Sequence, residues 1–184
     1  MINLNQFNVI GISGIIGSGK SYISNTIKEK YQANLIEIDD VRRYLLWKST
    51  DSLAYELREK LNIYFKLNYD NLMFHRQEFS EFIFSDQNIL DDFNLICVPY
   101  FKSYIQSQLL TNQLNLITWV NLVEDNYLDL LDYIIFVDIP EKTWKQRNFY
   151  DIDNIKKRLD KQKSLNEKIQ QLNNRLPYEV FLNE

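Results

Sequence analysis

Apolar and polar positions fall along this chain in alternating short blocks. The run from Phe7 to Ile12 predicts a buried strand, and Tyr22 to Lys30, free of Gly and Pro, predicts a helix. Asn34 to Ile38 is a second short apolar run and predicts a second strand, with a helical stretch from Val41 to Trp47 behind it. Strand, helix, strand in so little chain implies a right-handed crossover and parallel pairing of the two strands. From Asp51 to Tyr69 the period changes. Leu53, Leu57, Leu61, Tyr64, Phe65 and Leu67 recur at helical spacing and predict an amphipathic helix. Further helical pieces follow over about His75 to Phe84 and Asn88 to Leu110, the latter interrupted at Pro99. Strands return at Asn115 to Val120 and Tyr133 to Asp138, and Pro140 suits the first turn of the helix after them. A helix from about Asp153 to Leu172 is so rich in Lys that it reads as an exposed face. Tyr178 to Leu182 predicts a fifth strand. Most apolar side chains of the middle third read as core packing, and others as the lining of an acceptor pocket.

One stretch carries chemistry. Gly14, four residues, then Gly19-Lys20-Ser21 is the full pattern G-x-x-x-x-G-K-[ST], and it stands between a predicted strand and a predicted helix. A polyphosphate needs donors on several sides and a backbone that comes close. Gly14, Gly17 and Gly19 let the loop curl so that the N–H groups of Ile15, Ile16, Gly17 and Ser18 point inward. The helix beginning near Gly19 adds free N–H groups and the positive end of its dipole. Lys20 reaches the β- and γ-phosphates as a mobile charge, and the Ser21 hydroxyl suits Mg²⁺. ATP and Mg²⁺ are therefore the expected cofactors.

Composition narrows the reading. The 184 residues suit one domain with a real core. Net charge is -4 and the pI is about 5.2, with no basic block, so no nucleic-acid partner is expected. The N-terminus has no basic segment followed by an apolar one, and no run reaches spanning length, so no membrane partner is expected either. The single cysteine, Cys97, sits in an apolar run and reads as buried and inert, which fits a reducing, cytoplasmic setting. With one histidine, His75, there is no His-rich metal site. A GTPase switch would need Asn-Lys-x-Asp and Asp-x-x-Gly, and the chain has neither.

Asp39 follows the second strand. In an open parallel sheet the ligand lies beyond the carboxyl ends of the strands, so a carboxylate there is placed to take a proton from an attacking hydroxyl. Asp is also a favoured N-cap, and Asp39 fits both roles, while Asp40 reads as a cap or a solvated charge. Arg147, and Arg158 on the next helix, suit either a lid over ATP or a solvated surface charge, and the lid reading is stronger for Arg147.

These motifs resemble the bacterial dephospho-coenzyme A kinases over nearly the whole length. Ile10 to Ser21 is similar to that family's opening segment. Glu37-Ile38-Asp39-Asp40-Val41-Arg42-Arg43 is similar to its Asp-Ala-Asp-x-x-x-Arg block, with the second Asp and the Arg kept. Arg76 with Ile83-Phe84, Glu124, Val137-Asp138, Arg147, Arg158 to Gln162 and Val180 to Asn183 match further family positions. The family's His-Pro is Val98-Pro99 here, its Pro-Leu-Leu is Val120-Asn121-Leu122, the first Asp of its block is Glu37, and its second lid Arg and long final helix are missing.

The resemblance implies a P-loop kinase: an α/β, three-layer α/β/α fold with a five-stranded parallel sheet. Its core would span about 1–48 and 112–184, with a helical substrate-binding insertion at about 49–111 and a short lid at about 141–158. It implies transfer of the ATP γ-phosphate to the ribose 3′-hydroxyl of dephospho-coenzyme A. Lys20 and the loop would hold phosphate, and Ser21 would hold Mg²⁺. Asp39 would act as base, and Arg147 would stabilise the transferring group. Arg43, Arg76 and Glu124, with Asp39, would bind the acceptor. Two alternatives stand beside it: another small P-loop kinase acting on a nucleoside, nucleotide or small metabolite, and an ATP-binding partner protein without turnover. Oligomeric state has no signature in the chain.

Overall fold

In a computed structural model the chain is described over residues 4–67, 74–147, 159 and 162–183. It divides into two compact units, one of residues Met1–Glu37 with Leu109–Glu184 and the other of Ile38–Gln108.

The first unit is an α/β unit built on a five-stranded parallel sheet. β1 spans Val9–Gly14, β2 Asn34–Glu37, β3 Asn115–Thr118, β4 Tyr133–Asp138 and β5 Tyr178–Leu182, in the spatial order β2-β3-β1-β4-β5. Every neighbouring pair is parallel; Ile10 stands opposite both Leu116 and Tyr133. The first two strands are therefore parallel but do not pair, because β3 lies between them and takes both ladders. β1 is buried along its whole length and β4 over all but Asp138, as strands covered on both faces must be. One face carries Ile10, Ile12, Leu116, Ile135 and Val137, packed with Ile23 of helix α1 (Lys20–Tyr31). Asp132 fixes the start of β1 by accepting from the Asn8 and Val9 amides at 2.8 and 2.9 Å. Helix α6 (Glu141–Arg147) follows β4, and α7 (Leu165–Leu172) precedes β5; α7 opens with a Ser164–Glu167 capping box.

The second unit is helical: α2 (Ile38–Trp47), α3 (Ser52–Phe65), α4 (Arg76–Ile83) and α5 (Gln87–Gln108). Asp51 caps α3 by accepting from the Ala54 amide at 2.8 Å. Arg58 is 3% exposed and donates to the Leu45 and Ser49 carbonyls, both at 2.9 Å, where α2 runs out of its own donors. Phe79 stacks on Phe74 and meets Trp47 and Phe93 edge-on.

Pro99 does not interrupt its helix. α5 runs unbroken through it, with Pro99 and Leu95 both exposed. The carbonyl that loses its i+4 donor is that of Leu95, on a face open to water, so the helix continues. The predicted lid at 141–158 is described only as far as Arg147. Arg158 lies outside the described residues, as does most of the N-terminal half of the helix expected from Asp153.

Candidate active site

Because the sheet is parallel, the segments leaving β1, β3, β4 and β5 all start from one end of it. The segment after β1 is the glycine-rich loop. Gly14, Gly17 and Gly19 have φ of 143°, 77° and 93°, in the region where a side chain is strained. A Cβ at Gly14 would also overlap the Val137 carbonyl oxygen, and one at Gly19 would overlap Asn183 Nδ2. The loop can take this path only with glycine at both places.

α1 starts at Lys20 behind a left-handed Gly19. It has no side-chain cap and no acidic residue in its first turn. Its opening N–H groups and the positive end of its dipole are therefore not met by a cap or an acidic side chain of its own first turn. Lys20 Nζ donates to the Ile15 carbonyl at 2.8 Å, so its ammonium rests against the loop itself. Ser21, the next residue of the helix, is exposed.

The tip of the loop is held from both sides. The Ile16 amide donates to Gln162 Oε1 at 3.1 Å, and the Ile16 carbonyl accepts from Trp144 Nε1 at 2.8 Å. Trp144 is buried on α6, and Arg147, one turn later, brings Nη1 to 3.7 Å from where a Cβ on Gly19 would stand. Asn183, just past β5, donates from Nδ2 to the Ser18 carbonyl at 2.8 Å, and its amide bonds the Asp138 carbonyl at 2.9 Å. Ser18 Oγ is buried and has no hydrogen-bond partner among the described residues. Lys20, Ser21, Arg147 and the loop are thus gathered in one place, within the first unit.

Glu124 follows β3 and is paired there with Lys168 of α7. Lys168 is fully buried, and its Nζ also donates to the Val120 carbonyl at 2.9 Å. That carbonyl accepts from Ser13 Oγ as well, at 3.0 Å. The reading of this helix as an exposed Lys-rich face therefore fails at Lys168. Leu165, Lys168 and Leu172 share one face, and that face is turned inward.

The other residues marked in the sequence belong to the helical unit. Asp39 and Asp40 occupy the first turn of α2, both exposed, so each carboxylate stands where the helix dipole favours it. Arg43 pairs with Asp40 at 2.7 Å across an exposed i,i+3 step, an interaction of little energy. Arg76 opens α4 with its guanidinium 5.5 Å from the Trp47 ring centre. Cys97 is fully buried and burial pushes its thiol far up, so it is inert as expected.

Trp144 and Lys168 beside the loop escaped the sequence reading, and Gln162 and Asn183 entered it only through the family resemblance, without a role. Only Lys168 had a signal in the pattern, its spacing from Leu165 and Leu172. Among the described residues there is no group of three His, Cys, Asp or Glu side chains suited to hold a metal, and no helix long and apolar enough to cross a membrane.

Comparison with known proteins shows the family and the fold. The sequence model of a family described as dephospho-CoA kinase matches residues 8–177. A dephospho-CoA kinase of Aliivibrio fischeri is 27% identical over 137 residues, 73% of this chain and 74% of that protein. The crystal structure of TT1252 from Thermus thermophilus superposes with a TM-score of 0.72 at 20% identity, covering 96% of this chain and 88% of that one. A dephospho-CoA kinase from Campylobacter jejuni superposes with a TM-score of 0.56 at 17% identity, covering 96% and 88%.

Proposed function

Because the chain belongs to the dephospho-CoA kinase family, we propose that it transfers the γ-phosphoryl group of ATP to the ribose 3′-hydroxyl of dephospho-coenzyme A, giving coenzyme A and ADP. The observation that carries this reading is the family match across residues 8–177, which takes in the phosphate loop and the helical unit alike.

Phosphoryl transfer asks for positioning and charge neutralisation more than for covalent help. The loop amides and the opening amides of α1 bind the phosphate oxygens. Lys20 exchanges the Ile15 carbonyl for the β- and γ-phosphates. Arg147 neutralises charge on the transferring group. Asp39 orients the 3′-hydroxyl and takes its proton as the new P–O bond forms. Arg43 and Arg76 bind phosphates of the acceptor, and Arg43 gives up an exposed pair of small worth to do so. Glu124 accepts a hydrogen bond from the acceptor.

The donor set fits Mg²⁺. Ser21 offers one hydroxyl at the loop, which suits a hard ion that arrives with the nucleotide and keeps most of its ligands as phosphate oxygens and water. Bound there, the ion would supply neutralisation of phosphate charge. Ser21 would hold it, next to Lys20.

The test is incubation of the purified chain with Mg²⁺-ATP and dephospho-coenzyme A, following ADP and coenzyme A together, with nucleosides and nucleotides as control acceptors. Coenzyme A formed in step with ADP is the expected result. ADP formed only with a control acceptor moves the chain to another kinase reaction, and ATP binding without product from any acceptor makes it a binding partner.

A further inference from the structure

The buried pair of Lys168 and Glu124 is chemically incomplete. One carboxylate oxygen, Oε1, takes the Lys168 ammonium. The other, Oε2, is screened from solvent and meets no donor among the described residues. Burying a charged oxygen without a donor costs on the order of 1–3 kcal/mol, and native structures keep few such atoms. The Glu124 side chain is nonetheless 15% exposed, so the carboxylate lies at the edge of the fold and not in its centre.

Lys168 itself is fully enclosed and holds two segments at once. It binds Glu124 and the Val120 carbonyl, and the same carbonyl takes Ser13 Oγ, one residue before Gly14. The chain from Val120 to Glu124 is thereby tied to the end of β1, directly beside the phosphate loop. A buried ion pair is weak evidence for stability, since apolar side chains of like size often do as well. It is better explained where it fixes a geometry that apolar packing would leave loose.

Resting on the function proposed above, we propose that Lys168 is a positioning residue of the acceptor site. It clamps Glu124 through Oε1 so that Oε2 is held, already stripped of water, to accept a hydrogen bond from a hydroxyl of the bound acceptor. An acceptor hydroxyl arriving there gains its bond without first desolvating the carboxylate. No bond is made or broken by either residue; the pair acts only on how the acceptor is held.

The experiment is a double-mutant cycle on the full chain: wild type, Glu124→Met, Lys168→Met and the double variant. Each is measured for thermal midpoint and for KM of both substrates and kcat with Mg²⁺-ATP and dephospho-coenzyme A. Losing a hydrogen bond to a charged group is expected to raise the acceptor KM about tenfold to hundredfold in each single variant. The ATP KM should stay within about threefold. Because Lys168 acts through Glu124, the double variant should bind the acceptor no worse than Glu124→Met alone. Effects that multiply would overturn the proposal, as would an ATP KM that rises while the acceptor KM holds. If a single variant fails to fold, the double, with no buried charge left at the pair, decides: acceptor KM raised with ATP KM unchanged supports the proposal, and wild-type values for both overturn it. A wild type that makes no coenzyme A overturns the proposed function and this inference with it. Wild-type turnover with an indifferent double variant overturns this inference alone.

Discussion

At the scale of single residues the site depends on atoms that are absent as much as on those present. Gly19 combines a φ of 93° with contact against Asn183 Nδ2. Gly19→Ala therefore pays twice: about 1–2 kcal/mol for the left-handed backbone and a further term for pushing Asn183 off the Ser18 carbonyl. ATP affinity should fall at least tenfold, by isothermal titration, and Asn183→Ala in the same background should recover only part of it. Full recovery would show that the backbone angle is not the constraint. Asp39 is a different kind of residue, an exposed carboxylate for which we propose a part in the reaction. Asp39→Asn should cut kcat by roughly 10²–10⁴ with ATP affinity nearly intact, and near-normal turnover would remove it as the base.

At the scale of elements, α3 shows how one cap links to pH. The Ser49 hydroxyl, then the Ala54 amide, hold the Asp51 carboxyl below its ordinary 3.8, against a smaller opposing effect of burial. A lowered folded-state value means that the charged cap stabilises above about pH 3.8 and that this contribution is lost as pH falls through the folded value. The stability gap between wild type and Asp51→Asn, from urea titrations, should thus narrow as pH drops below 3.8. A gap constant from pH 7 to pH 3 would rule out the linkage. α5 gives the opposite lesson. A Pro in mid-helix reads as a break because it removes one helix hydrogen bond and crowds the carbonyl four residues back; here that carbonyl, of Leu95, lies on an exposed line where solvent can replace the bond. Pro99→Ala should therefore raise the urea midpoint, by up to about 3 kcal/mol in free energy. The strands and most helices were legible because burial on both faces of a parallel sheet, or on one face of a helix, leaves a period in the sequence. Strand order left none: nothing in the run Asn115 to Thr118 marks it as the strand that slides between β1 and β2. The phosphate loop was legible because glycine spacing is its cause. Trp144 was not, and Gln162 and Asn183 were marked only by the resemblance, since each reaches the loop from more than a hundred residues away through a single hydrogen bond.

At the scale of the whole molecule, the residues proposed to serve the donor lie within one of the two compact units, since the loop, α1, Trp144, Arg147, Gln162 and Asn183 all fall in it. On that assignment nucleotide binding belongs to that unit, and linkage makes it measurable as stability. ATP at a hundredfold excess over its Kd adds about 2.7 kcal/mol to the folded state that binds it. For a chain of this length that is a rise of several degrees in thermal midpoint. Lys20→Ala should lose most of the rise, because its ammonium already rests on a loop carbonyl, ready to be exchanged for phosphate. Asp39→Asn should keep it, because that residue belongs to the helical unit and is assigned to the acceptor. If melting proceeds in two steps, only the step of the sheet unit should move with ATP, and a nucleotide-dependent shift in the helical step instead would place the donor site elsewhere.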